Sequence, residues 1–299
     1  MNPVFYHRVT GFDSAHPSQS LPLEPPMSPT FARHTTALHR AAASTALLMV
    51  IAATAATPAS AAPVHVTVSI TNLATTNSVT VAPLHLGFNN GTFDAFDQGG
   101  VANAATISVA EGGVGGAWQA AFAAADPTAT RGTIGGPLFP GTSKSASFLV
   151  DPSLNPFFTF AAMVVPSNDF FIGNDSPTQF RLFDAAGALQ ITSITQKASD
   201  IWDAGSEAFD PAAAAFVGNN DLRTPQNSTV AFNFAEFTGF NGLTTAAGYV
   251  FNSQLTANTE IYRINFSATA VPEPVSYALV AASLMALGVS RLRRRKAVD

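Results

Sequence analysis

Short runs of alternating apolar and polar residues, separated by turn formers, constrain the fold of this chain more than any other feature. Residues 64–71 read Val-His-Val-Thr-Val-Ser-Ile-Thr. A period of two over eight residues is the pattern of a half-buried strand, with His65 facing outward. Residues 79–86 predict a second strand that Pro83 interrupts, which marks an edge or a bulge. Strands resume at 145–150 and 157–165, the latter a nearly continuous apolar run suited to the centre of a sheet. Residues 179–183 and 189–194 follow, joined by a turn at 184–187, and 229–234 and 259–267 close the set. Only 113–125 predicts a helix, short and Ala-rich, with Trp118 and Phe122 four apart on one face. The chain has 24 Phe, so aromatic rings are expected to fill much of the space between sheets. Together these signals predict an all-β fold, an antiparallel β-sandwich.

Charge becomes informative once it is divided along the chain. The whole sequence carries a formal −5, but residues 62–271 hold six Lys and Arg against fifteen Asp and Glu, a net −9. The basic residues are concentrated at the two ends. An acidic body of this kind disfavours nucleic acid and anionic lipid as partners and favours bound cations. There is no cysteine, which excludes disulfides and thiolate metal sites. Only His65 and His85 fall within the body, too few for a His-based zinc site. Neither has a recognisable Ser and Asp arrangement around it, so a catalytic triad finds no support. The glycines at 112–116 lack the Lys of a phosphate-binding loop and read as a flexible connection.

Both ends carry targeting signals. Residues 274–290 are seventeen positions without a formal charge, followed by five basic residues within 291–296. As a helix the apolar run spans about 25 Å, within the lower range for crossing a bilayer, and the basic cluster would hold its end on the cytoplasmic side. The order Pro272-Glu273-Pro274, apolar helix, terminal Arg cluster resembles the PEP-CTERM sorting signal of Gram-negative bacteria. That resemblance implies export and processing near the Pro-Glu-Pro by a membrane-embedded exosortase, with the inner membrane a transient station and the cell surface or exterior the destination. An export signal is then expected at the front. Arg33, His34, His39 and Arg40 form a basic region, residues 41–56 an apolar one, and Ala59-Ser60-Ala61 a signal peptidase site. The first 26 residues suit such a signal poorly, which places the expected translation start at Met27. The expected organisation is a signal region at 1–61, one sandwich domain at 62–268, a tether at 269–274, a membrane-spanning sorting helix at 275–290 and a basic cytoplasmic tail at 291–299.

Candidate chemistry lies in two acidic segments, residues 166–175 and 200–210, both read as loops at strand ends. Carboxylates crowded on loops repel one another unless a cation sits among them. Calcium takes six to eight oxygens from carboxylates, carbonyls and water, and Asp169, Asp203 and Glu207 are the candidate carboxylates. The Asp-x-Asp-x-Asp-Gly spacing of an EF-hand is absent, and an acidic loop that is merely solvated would look the same. Val165-Pro-Ser-Asn-Asp-Phe-Phe-Ile-Gly and Ile201-Trp-Asp-Ala-Gly-Ser-Glu207, however, resemble signature segments of the spondin N-terminal domain. Residues 86–97, 132–141 and 182–187 are similar to bacterial members as well. The resemblance implies a C2-like β-sandwich with a calcium ion (Ca2+) held at one end by Asp169, Asp203 and Glu207. Asp200 and Asp210, in the same acidic segment, are candidates to support those ligands from behind. Animal members have Asp where Glu207 stands. They also carry cysteines and thrombospondin repeats that this chain lacks, so their matrix partners do not transfer.

The expected function is a non-enzymatic, exported calcium-binding interaction module, associated with extracellular polysaccharide or a surface protein. One alternative is an extracellular polysaccharide hydrolase using a pair such as Asp169 and Asp203, which requires a cleft and one carboxyl group of raised pKa. Another is a structural coat subunit that assembles without calcium. Trp118, Trp202 and the many Phe would serve the core before any sugar-stacking face.

Overall fold

The computed structural model describes residues 62–271, Val280 and residues 282–288. Within 62–271 the strands are β1 (Val64–Asn72), β2 (Thr80–Val81), β3 (Leu84–Asn89), β4 (Thr130–Ile134), β5 (Ser143–Val150), β6 (Phe157–Val165), β7 (Phe170–Gly173), β8 (Phe180–Arg181), β9 (Ser193–Lys197), β10 (Trp202–Asp203), β11 (Ala231–Phe232) and β12 (Glu260–Ala270). Two helices, α1 (Ala104–Gly112) and α2 (Gly116–Ala125), fall between β3 and β4. One sheet runs β5-β1-β12-β9 and the other β11-β10-β7-β6-β3-β4, with β2 and β8 added to β6. Every strand pair is antiparallel. The expected all-β sandwich is the fold.

The alternation in β1 has a direct cause. Val66, Val68 and Ile70 point into the core while His65, Thr67, Ser69 and Thr71 face out, because the four-stranded sheet has one wet face. The larger sheet differs. The even residues of β6, Phe158, Phe160, Ala162 and Val164, meet β1 and β12 in the space between the sheets. Its opposite face belongs to a second cluster in which Phe93, Phe96, Val109, Trp118 and Phe122 cover Ala161, Phe171 and Trp202. Both helices lie over this face, so strands there are buried on both sides and read as continuous apolar runs. Each fully buried Phe contributes about 1.5–3 kcal/mol, and rings supply much of both layers. Phe93 stacks on Phe122 at 4.2 Å and meets Trp118 edge-on at 5.1 Å.

Several sequence expectations need correction. α1 was not anticipated, since Ala-Ala-Thr-Ile-Ser-Val shows no apolar stripe. Asn103 nevertheless caps its start, accepting from the Thr106 N–H at 2.9 Å, and Gly113 ends it in the left-handed region at φ 64°. The expected strand at 79–86 is two strands on either side of Pro83, both paired to β6. The strand expected at 189–194 lies later, at Ser193–Lys197, where it pairs with β12, and the one at 229–234 contracts to Ala231–Phe232. The turn at 184–187 is present, closed by the Gly187 N–H on the Asp184 carbonyl.

The signal region 1–61, Pro272-Glu273-Pro274 and the basic tail lie outside the described residues, as does half of the expected sorting helix. Val280 and residues 282–288 are helical and exposed. Among the described residues no helix is long and apolar enough to cross a membrane.

Candidate metal centre

The two acidic segments are not the exposed loops that turn residues alone suggest. Phe170–Gly173 and Trp202–Asp203 are adjacent antiparallel strands, Trp202 opposite Phe171 and Asp203 opposite Phe170. Their apolar side chains are drawn into the two clusters, and this pulls the neighbouring carboxylates out of water. Asp169 is 2 % exposed and Glu207 4 %.

Asp169 closes the turn between β6 and β7. In that turn Ser167 Oγ donates to the Val164 carbonyl at 2.6 Å and accepts from the Phe170 N–H at 3.1 Å. The chain leaving β10 then folds around the Asp169 carboxylate. Oδ2 accepts from the Ser206 N–H at 2.7 Å, the Ser206 hydroxyl at 3.2 Å and the Glu207 N–H at 3.0 Å. That wrapping needs Gly205, which has φ 66° and packs on Ser228; an added Cβ would lie 2.8 Å from the Ser228 carbonyl carbon. Burial pushes the Asp169 carboxyl up to about 7, repulsion from Asp203 adds to this, and the three donors oppose it.

Asp203 is the next carboxylate along. Its Oδ1 accepts from the Gly205 N–H at 2.8 Å and its Oδ2 from Asn233 Nδ2 at 3.1 Å. The same amide donates to Glu236 Oε1 at 2.6 Å. Burial raises the Glu236 pKa and Asp203 raises it further, against the Asn233 hydrogen bond. Glu236 and Asn233 were missed in the sequence. They are remote from the signature segments and reach the site only because β11 pairs with β10 and the following 3-10 turn begins at Ala235.

Glu207 is held differently. Its Oε1 accepts from Asn168 Nδ2 at 3.3 Å, while Oε2 is buried with no hydrogen-bond partner. Burial pushes this carboxyl to about 6; Asn168 and Arg223 pull it down, and Glu111 and Asp210 push it up. Arg223 is itself paired with Glu111 at 3.2 Å. Asp203, Glu207 and Glu236 line one polar cleft of about 340 Å³, together with Gln226, Ser228 and Asn233.

The structure therefore brings Asp169 and Asp203 together and sets Glu207 on the wall of the same cleft as Asp203. Among the described residues no three His, Asp or Glu converge closely enough to form a ready-made metal cluster. The donor chemistry still fits a hard cation. Glu207 Oε2 is an orphaned buried oxygen, and the charges that disturb Asp169 and Glu236 are other carboxylates. Asp200 and Asp210 do structural work: Asp200 Oδ2 accepts from the Lys197 N–H at 2.8 Å and Asp210 Oδ1 from the Ala212 N–H at 2.9 Å. His85 is a packed residue, with Nδ1 3.0 Å from Thr133 Oγ1 and Nε2 3.0 Å from the Gly113 carbonyl oxygen. Compared with known proteins, the chain matches no family model and no curated protein.

Proposed function

We propose that residues 62–268 are a spondin-like, calcium-binding interaction module. In this reading the chain is exported by signal peptidase and the exosortase route to the cell surface or beyond, where it engages extracellular polysaccharide or a surface protein. One observation carries the calcium reading: Asp169 is buried against Asp203, and Glu207, whose Oε2 is buried without a hydrogen-bond partner, lines the same cleft as Asp203. Like charges packed this way oppose folding unless a cation joins them. Calcium accepts oxygens of mixed origin, so Asp169, Asp203 and Glu207 would share it with neighbouring neutral oxygens, and Glu236 would add charge from the far side.

Calorimetry and thermal melting test this. With a Kd of about 10⁻⁴–10⁻³ M, expected of extracellular modules, calcium at ten to a hundred times Kd adds about 1.4–2.7 kcal/mol of stability. That is a rise of about 3–10 °C in Tm for a body of this size. Asp203→Ala should abolish it. An unchanged calcium response in both Asp169→Ala and Asp203→Ala overturns the site.

A polysaccharide hydrolase is the second reading, favoured by a single fact: the cleft is lined by both Asp203 and Glu207, the latter raised to about 6. Release of reducing ends from matrix polysaccharide, lost in Glu207→Gln, would establish it; no release at any pH from 4 to 8 removes it.

A further inference from the structure

Along one side of the sandwich the two sheets close against each other. There β4 and β5 meet, with the Thr130 hydroxyl on the Leu149 carbonyl at 3.0 Å and the Phe148 ring over Gly132. On the opposite side β9 is the edge of the small sheet and β11 the edge of the large one. Between them lies a cleft of about 480 Å³, inside the range of about 300–1,000 Å³ found for small-ligand sites.

Its lining is unlike a core gap. Phe232 stands 46 % exposed with its ring stacked on Trp202 at 3.8 Å and 24°, presenting an aromatic plate. Around it are Gln179, Ser193, Thr195 and Gln196, all neutral hydrogen-bonding side chains. Gln196 is only 6 % exposed, yet its Oε1 has no hydrogen-bond partner. A buried amide oxygen left unpaired is costly and calls for a ligand group that donates to it. Asp200 is the one charged residue in the lining. It is acidic, in a body of net −9, so an anionic ligand is disfavoured.

We infer that this cleft binds a neutral pyranoside chain. A sugar ring lies on the Phe232 plate, a hydroxyl donates to Gln196 Oε1, and the other amides and hydroxyls select the remaining positions. This deepens the interaction-module reading by giving its polysaccharide a place and a chemical class. None of the candidate calcium ligands Asp169, Asp203 and Glu207 lines this cleft. Phe232 also forms part of the wall of the acidic cleft, so the two sites adjoin without sharing their polar groups.

The test is titration of the full chain, in EDTA and in calcium, with cellohexaose, laminarihexaose and mannohexaose, and with hexagalacturonate as the anionic probe. Calorimetry and tryptophan fluorescence both report, since Trp202 lines the cleft while Trp118 is fully buried. At least one neutral hexasaccharide should bind with a Kd of about 1 mM or lower, in EDTA as well as in calcium. Phe232→Ala should weaken it about tenfold and Gln196→Ala about fivefold. Gln179→Ala, at an exposed position, provides a third reading should either of those melt early. Absence of binding by all three neutral probes, preference for hexagalacturonate, or affinity unchanged across the three variants would overturn the inference. The calcium reading stands or falls separately, on the Asp169 and Asp203 variants.

Discussion

Replacing Asp169 with Asn isolates what the buried carboxylate does. The folded protein holds this group at a pKa of about 7 against 3.8 when free. Each unit corresponds to about 1.4 kcal/mol, so the shift of about three units disfavours the charged form in the fold by about 4 kcal/mol. The sign follows from proton uptake. Between pH 4 and 7 the folded state keeps a proton that the unfolded state has lost, so stability falls as pH rises across that window and levels off above it. Asn is neutral at every pH, and its Oδ1 can still accept from the Ser206 N–H, the Ser206 hydroxyl and the Glu207 N–H. In EDTA the variant should match the parent near pH 4 and exceed it by about 4 kcal/mol at pH 8, a gain of about 8–16 °C in Tm. Added calcium should narrow the gap at pH 8, because it stabilises the parent and leaves the variant nearly unchanged. Scanning calorimetry at pH 4, 6 and 8 reads all of this. A parent whose Tm in EDTA rises from pH 5 to 8, with the Asn variant following in parallel, would refute the burial-and-repulsion account of Asp169.

Two further predictions concern the helical layer. Phe122→Ala removes a ring that touches Phe93 and Trp118 and should cost about 3–5 kcal/mol in urea unfolding, whereas a loss under 1 kcal/mol would mean that α2 is not part of the cooperative core. Asn103→Ala removes the cap of α1 and should cost about 1 kcal/mol, with Asn103→Asp restoring most of it by the same measurement.

How far the sequence could be read depended on what covers each strand. β1 was legible because one of its faces meets water, so apolar and polar residues alternate. β6 was legible as a long apolar run. β7 was not, since Phe-Phe-Ile-Gly follows Pro-Ser-Asn-Asp and has too few residues to show a period; it is a strand because clusters on both faces bury it. α1 escaped because its burial comes from lying flat on the large sheet, which no stripe announces, although Asn103 and Gly113 marked its two ends. At the site, Asp169, Asp203 and Glu207 were legible as carboxylates crowded into two acidic segments. Asn233 and Glu236 had no such signal, because their approach depends on a two-residue strand pairing that local pattern cannot encode.

The same short pairing explains why the two clefts lie side by side. A sheet edge exposes unpaired backbone groups, and proteins blunt such edges with very short strands. Here β10 and β11 have two residues each, so the sheet ends almost as soon as it reaches the surface. The backbone that follows is free to turn, placing the Asp203 and Glu236 carboxylates on one side of Phe232 and the Gln179 and Gln196 amides on the other. The opposite seam, where Phe148 packs over Gly132, has no such freedom. A charged cleft and a neutral one can thus adjoin at a single edge, with the Phe-rich layers packed behind them.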